Sequence, residues 1–332
     1  MHIVISHAAA PGPHCRAASA KLQLPHLQAL LRQAGAPTLH IGNPDTLTPL
    51  AEHLASSQAY GDGLVPWAAW LAQANAWYQD GQYWALISPC HLQIHSDHVA
   101  MKDPSGLELT EDESRTLMAA MQPYFEEDGI ALHWHSPASY LAQGQVFQDL
   151  ASASLARVRA QPIDPWIPRQ SAAQGLRRLQ NEMQMLLYTH ALNDARSARG
   201  QAPVSGFWIS GTGSPVQPSA SDALPVSPVH QALTQTGTRL GATNPHAIYI
   251  DSLASGALQD DPQAWIQAWQ DLDAQVFAPL AGRHAPDLHA GLTITFCGEQ
   301  RACPYVLGRA SLWQGIQQAW RPRTLYHLLE AL

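Results

Sequence analysis

Charge is scarce in this chain, and basic charge is the scarcer sign. Charged residues make up 13% of the 332 residues, and 18 Lys plus Arg stand against 26 Asp plus Glu, for a net charge of −8. No run of basic residues occurs. Because a nucleic-acid backbone is a polyanion, this composition excludes a general nucleic-acid-binding protein. Hydrophobic residues reach 46%, which indicates a globular protein with a sizeable core.

Long apolar runs are also missing. No segment approaches the roughly 18 to 20 apolar residues that span a bilayer. The amino-terminal segment has a run of only three apolar residues, Ile3-Val4-Ile5, and lacks the basic region and longer apolar stretch of a signal peptide. These features predict a cytoplasmic protein with no membrane partner.

Cysteine is rare and scattered. The closest pair, Cys297 and Cys303, has five residues between its members, whereas zinc knuckles usually have about two to four. Cys15 and Cys90 are isolated. We therefore expect free thiols, as in a reducing compartment.

The apolar pattern predicts an α/β protein. Ile3-Val4-Ile5 is typical of a short buried strand, and Leu27, Leu30 and Leu31 recur at helical spacing in a helix from Leu24 to Gln33. Further strands are predicted at 83–88, 91–98, 129–134, 204–210, 247–251 and 292–296. Further helices are predicted at 110–125, 172–199 and 261–280, with helical turns in 45–78. Tryptophans at these turns are expected in the core.

The order of these elements predicts a core with an inserted domain. Residues 81–159 have a β-β-α-β pattern, which is typical of a compact α+β unit. The predicted core comprises residues 1–80 and 160–332, and Pro162, Pro165 and Pro168 mark a linker where it resumes. A Pro- and Ser-rich stretch at 214–228 predicts an exposed loop.

An arginine corner is the first candidate binding site. Arg196 and Arg199 stand three apart at the end of a predicted helix, so both reach the same anion. A predicted strand then leads into a glycine loop that offers backbone donors. The candidate anion ligands are Asn193, Arg196, Arg199, Gly200, Gly211 and Gly213. The alternative is that the arginines complement the helix dipole. On the first interpretation, replacing both arginines by Ala removes anion binding and leaves the fold intact.

Histidine clusters provide the candidate metal ligands. His91, His95, Asp97 and His98 are close in sequence, and His133 and His135 alternate on one predicted strand. The metal candidates are His95, Asp97, His98 and Asp251. Chance clustering is the alternative, since the chain has 17 histidines. The pair Ser6-His7 lacks the Gly-x-Ser-x-Gly elbow of many hydrolases.

Two stretches resemble a known family. Asn193-x-x-Arg196-x-x-Arg199-Gly200-x-x-Pro203, followed by Phe207-Trp208 and Gly211-x-Gly213, resembles the substrate-binding stretch of archaeal-type cofactor-independent phosphoglycerate mutases. These enzymes belong to the alkaline phosphatase superfamily. The segment 179–187, with the same downstream stretch, is similar to the RpfE-type regulatory proteins of bacteria, often described as predicted phosphoglycerate mutases.

The resemblance extends along the chain and implies a fold. Residues 24–30 are similar to an early helix of the superfamily, 272–280 to the helix before its last catalytic strand, and 84–121 to the mutase insert. The implied fold is an alkaline-phosphatase-like α/β core with a mainly parallel sheet and a smaller inserted α+β domain.

The catalytic residues of that family are mostly replaced. The resemblance implies two zinc or manganese ions held by Asp and His, with a Ser or Thr nucleophile. Ser6-His7-Ala8 stands in place of Asp-Gly, Cys297-Gly298 in place of Asp-His, and Asp251 is not followed by Gly-His. Two cations about 4 Å apart need several carboxylates or imidazoles to offset their repulsion, so the metal site is expected to be lost.

The sequence therefore predicts a catalytically degenerate, metal-free relative of phosphoglycerate mutase. We expect no cofactor and a regulatory or anionic-ligand-sensing role, with a small anionic or phosphorylated ligand or a protein as partner. One alternative is an active mutase, or another metal-dependent phosphotransferase, holding two Mn or Zn ions. The other is a protein-interaction module that binds no ligand, with tryptophans at its surface.

Overall fold

The structure is a computed structural model that describes residues 2–56, 60–170, 173–215, 242–243, 247–281, 292–307 and 325–332. It divides into two compact units. The first unit comprises Met1–Pro44, Pro49–Ala59 and Pro218–Leu332, and the second comprises Asp45–Thr48 and Tyr60–Gln217. The predicted insert, residues 81–159, lies within the second unit. That unit also includes residues 160–217, because the strand Gly206–Gly213 pairs with the strand Trp84–Cys90.

Strands and helices alternate through the described residues. The strands are β1 His2–Ile5, β2 His40–Ile41, β3 Trp84–Cys90, β4 Leu92–Ile94, β5 Val99–Met101, β6 Ala131–Ser136, β7 Ser139–Gln143, β8 Gly206–Gly213, β9 Ala242–Thr243, β10 Ala247–Ile250, β11 Thr293–Cys297 and β12 Arg301–Val306. The helices are α1 Pro13–Ala18, α2 Pro25–Gln33, α3 Leu50–Ala55, α4 Trp67–Ala74, α5 Glu111–Glu127, α6 Leu155–Val158, α7 Gln174–Tyr188, α8 Ala191–Ala198, α9 Ala254–Leu258, α10 Pro262–Leu272, α11 Ala278–Ala281 and α12 Leu325–Ala331.

The first unit is built on a mixed sheet in the order β2-β12-β11-β1-β10-β9. Strand β1 lies between β10 and β11 and runs parallel to both, whereas the other pairings in the described sheet are antiparallel. The prediction of a mainly parallel sheet is therefore wrong. The α/β class itself is confirmed, with buried strands of high β propensity such as Ile3-Val4-Ile5 at the centre.

Helices cover this sheet with apolar side chains. Helix α2 contributes Leu27, Leu30 and Leu31, the three positions predicted from its periodicity. Helix α10 contributes Trp265 and Trp269, which are almost fully buried. These two rings pack edge to face with centroids 6.2 Å apart. Of the tryptophans of 45–78 that are predicted to lie in the core, Trp67 and Trp70 are buried, whereas Trp77 is 37% exposed.

The second unit is built on the antiparallel sheet β6-β7-β3-β8. Helices α5 and α7 contribute Phe125, Leu179 and Met183 to the core of this sheet. Helix α5 begins with a capping box, in which Thr110 accepts from the Glu113 N–H and Glu113 accepts from the Thr110 N–H.

Three predicted elements differ from the structure. The predicted helix 172–199 is two helices, α7 and α8, because the His190 imidazole accepts the Leu192 N–H at 3.2 Å and starts a new helix. The predicted strand 91–98 contains the shorter strand β4 and the turn that joins it to β5 in an antiparallel hairpin. The predicted helix 261–280 contains a π-helical turn, Asp273–Phe277. The predicted loop at 214–228 lies outside the described residues beyond position 215.

Two helices of the first unit share an unusual N-terminal arrangement. Helix α2 starts with Pro25-His26, and Asp273 of the π-helical turn lies at its N-terminus. The Asp273 carboxylate accepts the His26 N–H at 3.3 Å, the Leu27 N–H at 2.8 Å and the His26 Nδ1–H at 2.9 Å. These bonds satisfy backbone donors that a helix leaves without partners at its first turn.

Helix α1 repeats this arrangement with Pro13-His14. Asp260 accepts the His14 N–H at 3.2 Å, the Cys15 N–H at 2.9 Å and the His14 Nδ1–H at 2.7 Å. A Cβ on Gly12 would lie 2.1 Å from Asp260 Cγ, so this close approach requires glycine. The Cys15 backbone hydrogen bond, followed by the bonds from His14, lowers the pKa of Asp260 to about 2.

Replacement of Asp273 by Ala tests the first of these caps. Asp273 is buried, and its loss leaves two helix donors unsatisfied, so we expect the free energy of unfolding to fall by about 1–2 kcal/mol. Urea denaturation followed by tryptophan fluorescence measures the change. Asp271→Ala is the matched control, because Asp271 is exposed on α10, where it accepts a hydrogen bond from Gln267. Equal unfolding midpoints for the two variants would contradict the capping role.

Asp260 gives a pH-dependent prediction. Its pKa is about 2 in the folded protein, and an unfolded Asp titrates near about 3.9. Its stabilising contribution is therefore complete above the unfolded value and is lost as pH falls through the folded value. We expect the difference in melting temperature between wild type and Asp260→Asn to be constant above about pH 5 and to shrink towards pH 2. Asp271→Asn should show no such change, and a constant Asp260→Asn difference down to pH 2 would refute the prediction.

Candidate functional site

Arg196, the first residue of the predicted anion site, is fully buried in the second unit. Its Nη1 donates to Glu113 Oε2 at 2.7 Å, its Nε to the Ala202 carbonyl at 2.9 Å and its Nη2 to the Leu107 carbonyl at 2.5 Å. All three guanidinium nitrogens therefore have protein acceptors. An incoming anion would have to displace a carboxylate that is already in place.

Arg199 shares the same partner. Its Nη2 donates to Glu113 Oε1 at 2.5 Å and its Nε to the Gln201 side chain at 2.8 Å. Arg199 is about half exposed, whereas Glu113 is largely buried. The two arginines thus address one anion, as predicted, but that anion is the Glu113 carboxylate of the protein itself. The prediction of a ligand-binding arginine corner is corrected to an internal ion-pair network.

Asn193 and Gly200 also have structural roles. The Asn193 amide donates to the Leu187 and Val204 carbonyls at 2.7 and 2.8 Å and accepts the Val204 N–H at 2.9 Å, which joins α7 to the segment before β8. Gly200 has φ +72° and ends α8, with the Gln201 N–H bonded to the Arg196 carbonyl at 2.9 Å. This is the left-handed helix ending that favours glycine.

Gly211 and Gly213 lie inside a strand rather than in a loop. Both are in β8, with φ of +61° and +116°. The β3–β8 register shifts here, because Trp84 pairs with Gly213 whereas Leu86 pairs with Ser210. One extra residue on β8 makes a bulge, and some bulges use the positive φ that glycine adopts easily. The predicted glycine loop is therefore wrong.

The Glu113 network predicts unequal effects of the two arginines. Arg196→Ala leaves a buried carboxylate without its buried partner, so we expect a loss of about 3–5 kcal/mol in the free energy of unfolding. Arg199→Ala removes a half-exposed partner and should cost about 1 kcal/mol or less. Urea denaturation of the two variants side by side measures both losses. Wild-type stability of Arg196→Ala would restore the interpretation of this side chain as a free anion ligand.

The predicted metal ligands of the second unit are not arranged around a common point. The His95 and His98 rings stack with centroids 4.5 Å apart, and His98 Nδ1 donates to Asp97 at 2.7 Å. That hydrogen bond, followed by the charge of His98, lowers the pKa of Asp97. Within the described ranges, no group of three or more His, Cys, Asp or Glu side chains is placed to hold a metal ion. The prediction for His95, Asp97 and His98 is corrected accordingly.

The histidines of β6 lie on the surface of the second sheet. His133 packs between Trp77 and Trp84, with ring centroids 5.5 and 5.3 Å away, and burial lowers the pKa of its imidazole. Burial likewise lowers the pKa of His135. Both side chains therefore favour the neutral form.

The carboxyl ends of β1, β10 and β11 meet at one edge of the first sheet. Ligands of α/β proteins commonly bind outside such strand ends, where a connection crosses between neighbouring strands. The Ser6 N–H bonds the Ile250 carbonyl at 2.9 Å, and the Ala8 N–H bonds the Cys297 carbonyl at 2.8 Å. Asp251, the remaining metal candidate, directly follows β10 at this edge.

His7 and Cys297 at this edge are held by neighbouring groups or buried. His7 Nδ1 lies 3.2 Å from Ser6 Oγ, and the His7 carbonyl accepts the Trp265 Nε1–H at 3.4 Å. His7 has φ +52°, an uncommon left-handed conformation for a residue with a side chain. Burial, and then the nearby Cys303, raise the pKa of Cys297 well above its ordinary value. Cys297 therefore favours the thiol over the more nucleophilic thiolate.

A cavity of about 400 Å³ is lined by the segments that follow β1 and β11. This volume falls within the range of small-molecule pockets, about 300–1,000 Å³. Ala10 and Pro11 come from the loop after β1, and Glu299 from the turn after β11. Trp265 of α10 and Leu329 of α12 add apolar surface. All of these residues belong to the first unit.

Charged groups of both signs also line this cavity. Arg16 of α1 is exposed, and its Nη2 donates to the Pro11 carbonyl at 3.0 Å. Glu299 and Glu330 are exposed carboxylates that line the same cavity. Neither forms an ion pair within the described part of the chain. Such a cavity is suited to binding and orienting a small molecule through charge pairing and apolar contact.

Sequence reasoning missed this cavity. The resemblance implies Asp-His at the end of β11, where this chain has Cys297-Gly298, and Glu299 is the next residue. A signal for Arg16 was present, since it lies a short distance after the first buried strand, where α/β proteins commonly place ligand contacts. No local signal could have placed Glu330 beside it, because α12 reaches the site only through tertiary packing.

No protein-family model matches the chain, and no curated protein matches it. Among solved structures, it is similar to the PH0037 protein from Pyrococcus horikoshii, with 10% identity, a TM-score of 0.48, and coverage of 94% of this chain and 87% of that one. It is also similar to a cofactor-independent phosphoglycerate mutase from Thermoplasma acidophilum DSM 1728, with 12% identity, a TM-score of 0.35, and coverage of 93% and 89%.

Both TM-scores and both identities are low, so neither likeness carries an argument about function. The resemblances to the mutases and to the RpfE-type proteins stay predictions from the sequence.

One further prediction concerns membranes. Across the residues that the structure describes, no helix combines the length and the apolar character needed to cross a bilayer.

Proposed function

We propose that this protein is a ligand-binding regulatory protein on a phosphoglycerate-mutase-like fold that has lost the two-metal phosphotransfer chemistry. The observation that carries this proposal is the set of residues at the carboxyl ends of β1, β10 and β11. Ser6-His7, Asp251 and Cys297-Gly298 occupy these positions. They offer one carboxylate, one imidazole engaged with Ser6 and one buried thiol.

These residues are poorly suited to two divalent ions. A pair of cations about 4 Å apart repel strongly, and the repulsion is offset by several anionic ligands. Here Asp251 is the one carboxylate among these strand-end residues, and the His7 imidazole lies 3.2 Å from Ser6 Oγ. Phosphoryl transfer by the mutase route therefore has no support from these side chains.

The cavity in the first unit supports the ligand-binding part of the proposal. It has the volume of a small-molecule pocket and contains Arg16, whose guanidinium has five N–H donors and uses one for the Pro11 carbonyl. Arg16 therefore replaces Arg196 and Arg199 as the cation that receives the anionic group of a ligand. A regulatory role follows from binding without turnover.

A protein-interaction surface is a second candidate function. Met185 and Tyr188 stand three apart on one face of α7, with exposed fractions of 70% and 83%. Side chains at this spacing are neighbours on a helix, and large exposed apolar groups commonly mark interfaces. This surface lies in the second unit and makes no use of the cavity.

Metal content and mutase turnover test the main proposal. The protein is purified without a histidine tag, incubated with manganese and zinc, dialysed, and measured by mass spectrometry and by a phosphoglycerate mutase assay. We expect no stoichiometric metal and no turnover above buffer, because the strand ends offer too few ligands. A known cofactor-independent mutase serves as the positive control.

The opposite result identifies its own cause. Two metal ions per chain together with turnover would overturn the proposal and favour an active phosphotransferase. Asp251→Asn is then the informative variant, because Asp251 is the carboxylate that directly follows β10. Loss of both metal and turnover in that variant would place the metal at the strand ends.

A further inference from the structure

We propose that the cavity of the first unit binds a zwitterion, namely a free α-amino acid with an apolar side chain. Its carboxylate would pair with Arg16, its ammonium with Glu299 and Glu330, and its side chain would contact Pro11 and Leu332. This inference rests on the proposed function, because it takes the cavity as the ligand site and names the class of ligand.

The charged side chains of the lining favour a ligand that carries both a positive and a negative charge. Among the described side chains that line the cavity, Arg16 is the cation, and Glu299 and Glu330 are the carboxylates. A simple anion such as phosphate gains from Arg16 but faces two negative groups. A simple cation gains from the carboxylates but faces the guanidinium. A ligand with both charges matches both kinds of wall group.

The positions of these three charged groups also favour a ligand with two charges. Arg16 lies on α1, Glu299 in the turn between β11 and β12, and Glu330 on α12. The three charges therefore come from three separate segments of the first unit. Arg16 uses Nη2 for the Pro11 carbonyl at 3.0 Å, which fixes the guanidinium and leaves its other donors for a carboxylate.

The apolar part of the lining favours a ligand that also has an apolar side chain. Trp265 is 1% exposed, and its Nε1–H donates to the His7 carbonyl, so its polar atom is already engaged. Leu329 and Ala10 are buried as well, and the accessible apolar surface of the cavity comes from Pro11, which is exposed, and Leu332, which is partly exposed. A ligand that carried only charged groups would leave this surface in contact with water. An apolar side chain on the amino acid covers it.

Calorimetric titration of the full chain tests the ligand class with matched probes. L-Phenylalanine and L-leucine are the zwitterions, N-acetyl-L-phenylalanine has only the carboxylate, L-phenylalaninamide has only the ammonium, and inorganic phosphate is the simple anion. We expect at least one zwitterion to bind, and each singly charged probe to bind at least about tenfold more weakly than the matching zwitterion.

Variants locate the binding in the cavity. We expect Arg16→Gln and the pair Glu299→Gln with Glu330→Gln each to weaken zwitterion binding at least about tenfold. Arg32→Gln and Asp271→Asn are matched controls, since both positions are exposed in the same unit and neither lines the cavity. Unchanged binding in the controls supports the assignment, and melting temperatures establish that all variants remain folded.

The outcomes separate this inference from the proposed function. Absence of binding by every zwitterion, equal binding of N-acetyl-L-phenylalanine or phosphate, or binding that survives the cavity variants would each overturn the zwitterion. None of these results alters the metal and turnover measurements. Metal-dependent turnover would overturn the proposed function, whereas the zwitterion titration would still be decided by its own probes.

Discussion

The pairing of β1 on both of its edges is the constraint on which the first unit depends. This strand has four residues, and its Ile3-Val4-Ile5 segment is completely buried. It aligns with β10 on one side and β11 on the other, in parallel register with both. Parallel strands end at the same edge, so this register places Ser6, Asp251 and Cys297 together. The cavity exists because the segments after β1 and β11 leave that edge side by side.

The second unit depends on one carboxylate. Glu113 is in the capping box of α5 and also pairs with Arg196 and Arg199, so helix start and ion pair use the same side chain. Removing a charge from such a pair leaves its partner buried without compensation. The residues that resemble a mutase substrate site are therefore held by the protein's own acid.

Local signals predicted much of the fold. The start of α5 was readable because a capping box lies within four residues, and α2 was readable from the spacing of its leucines. The site was less predictable. A bulge and a phosphate loop both require glycine at positive φ, so Gly211 and Gly213 fit either one. The partner of Arg196 lies far away in sequence, and only tertiary packing shows that the guanidinium is already taken.

The two Pro-His helix starts have a consequence for recognising enzymes by geometry. In each, an aspartate accepts from a histidine Nδ1–H, which leaves Nε2 as the basic nitrogen. This is the relation between acid and base in hydrolase triads. Here the aspartates hold helix N-termini, and the histidines are their companions at the second helical position. A template search for catalytic Asp–His pairs would therefore return both of these pairs, although their aspartates cap helices.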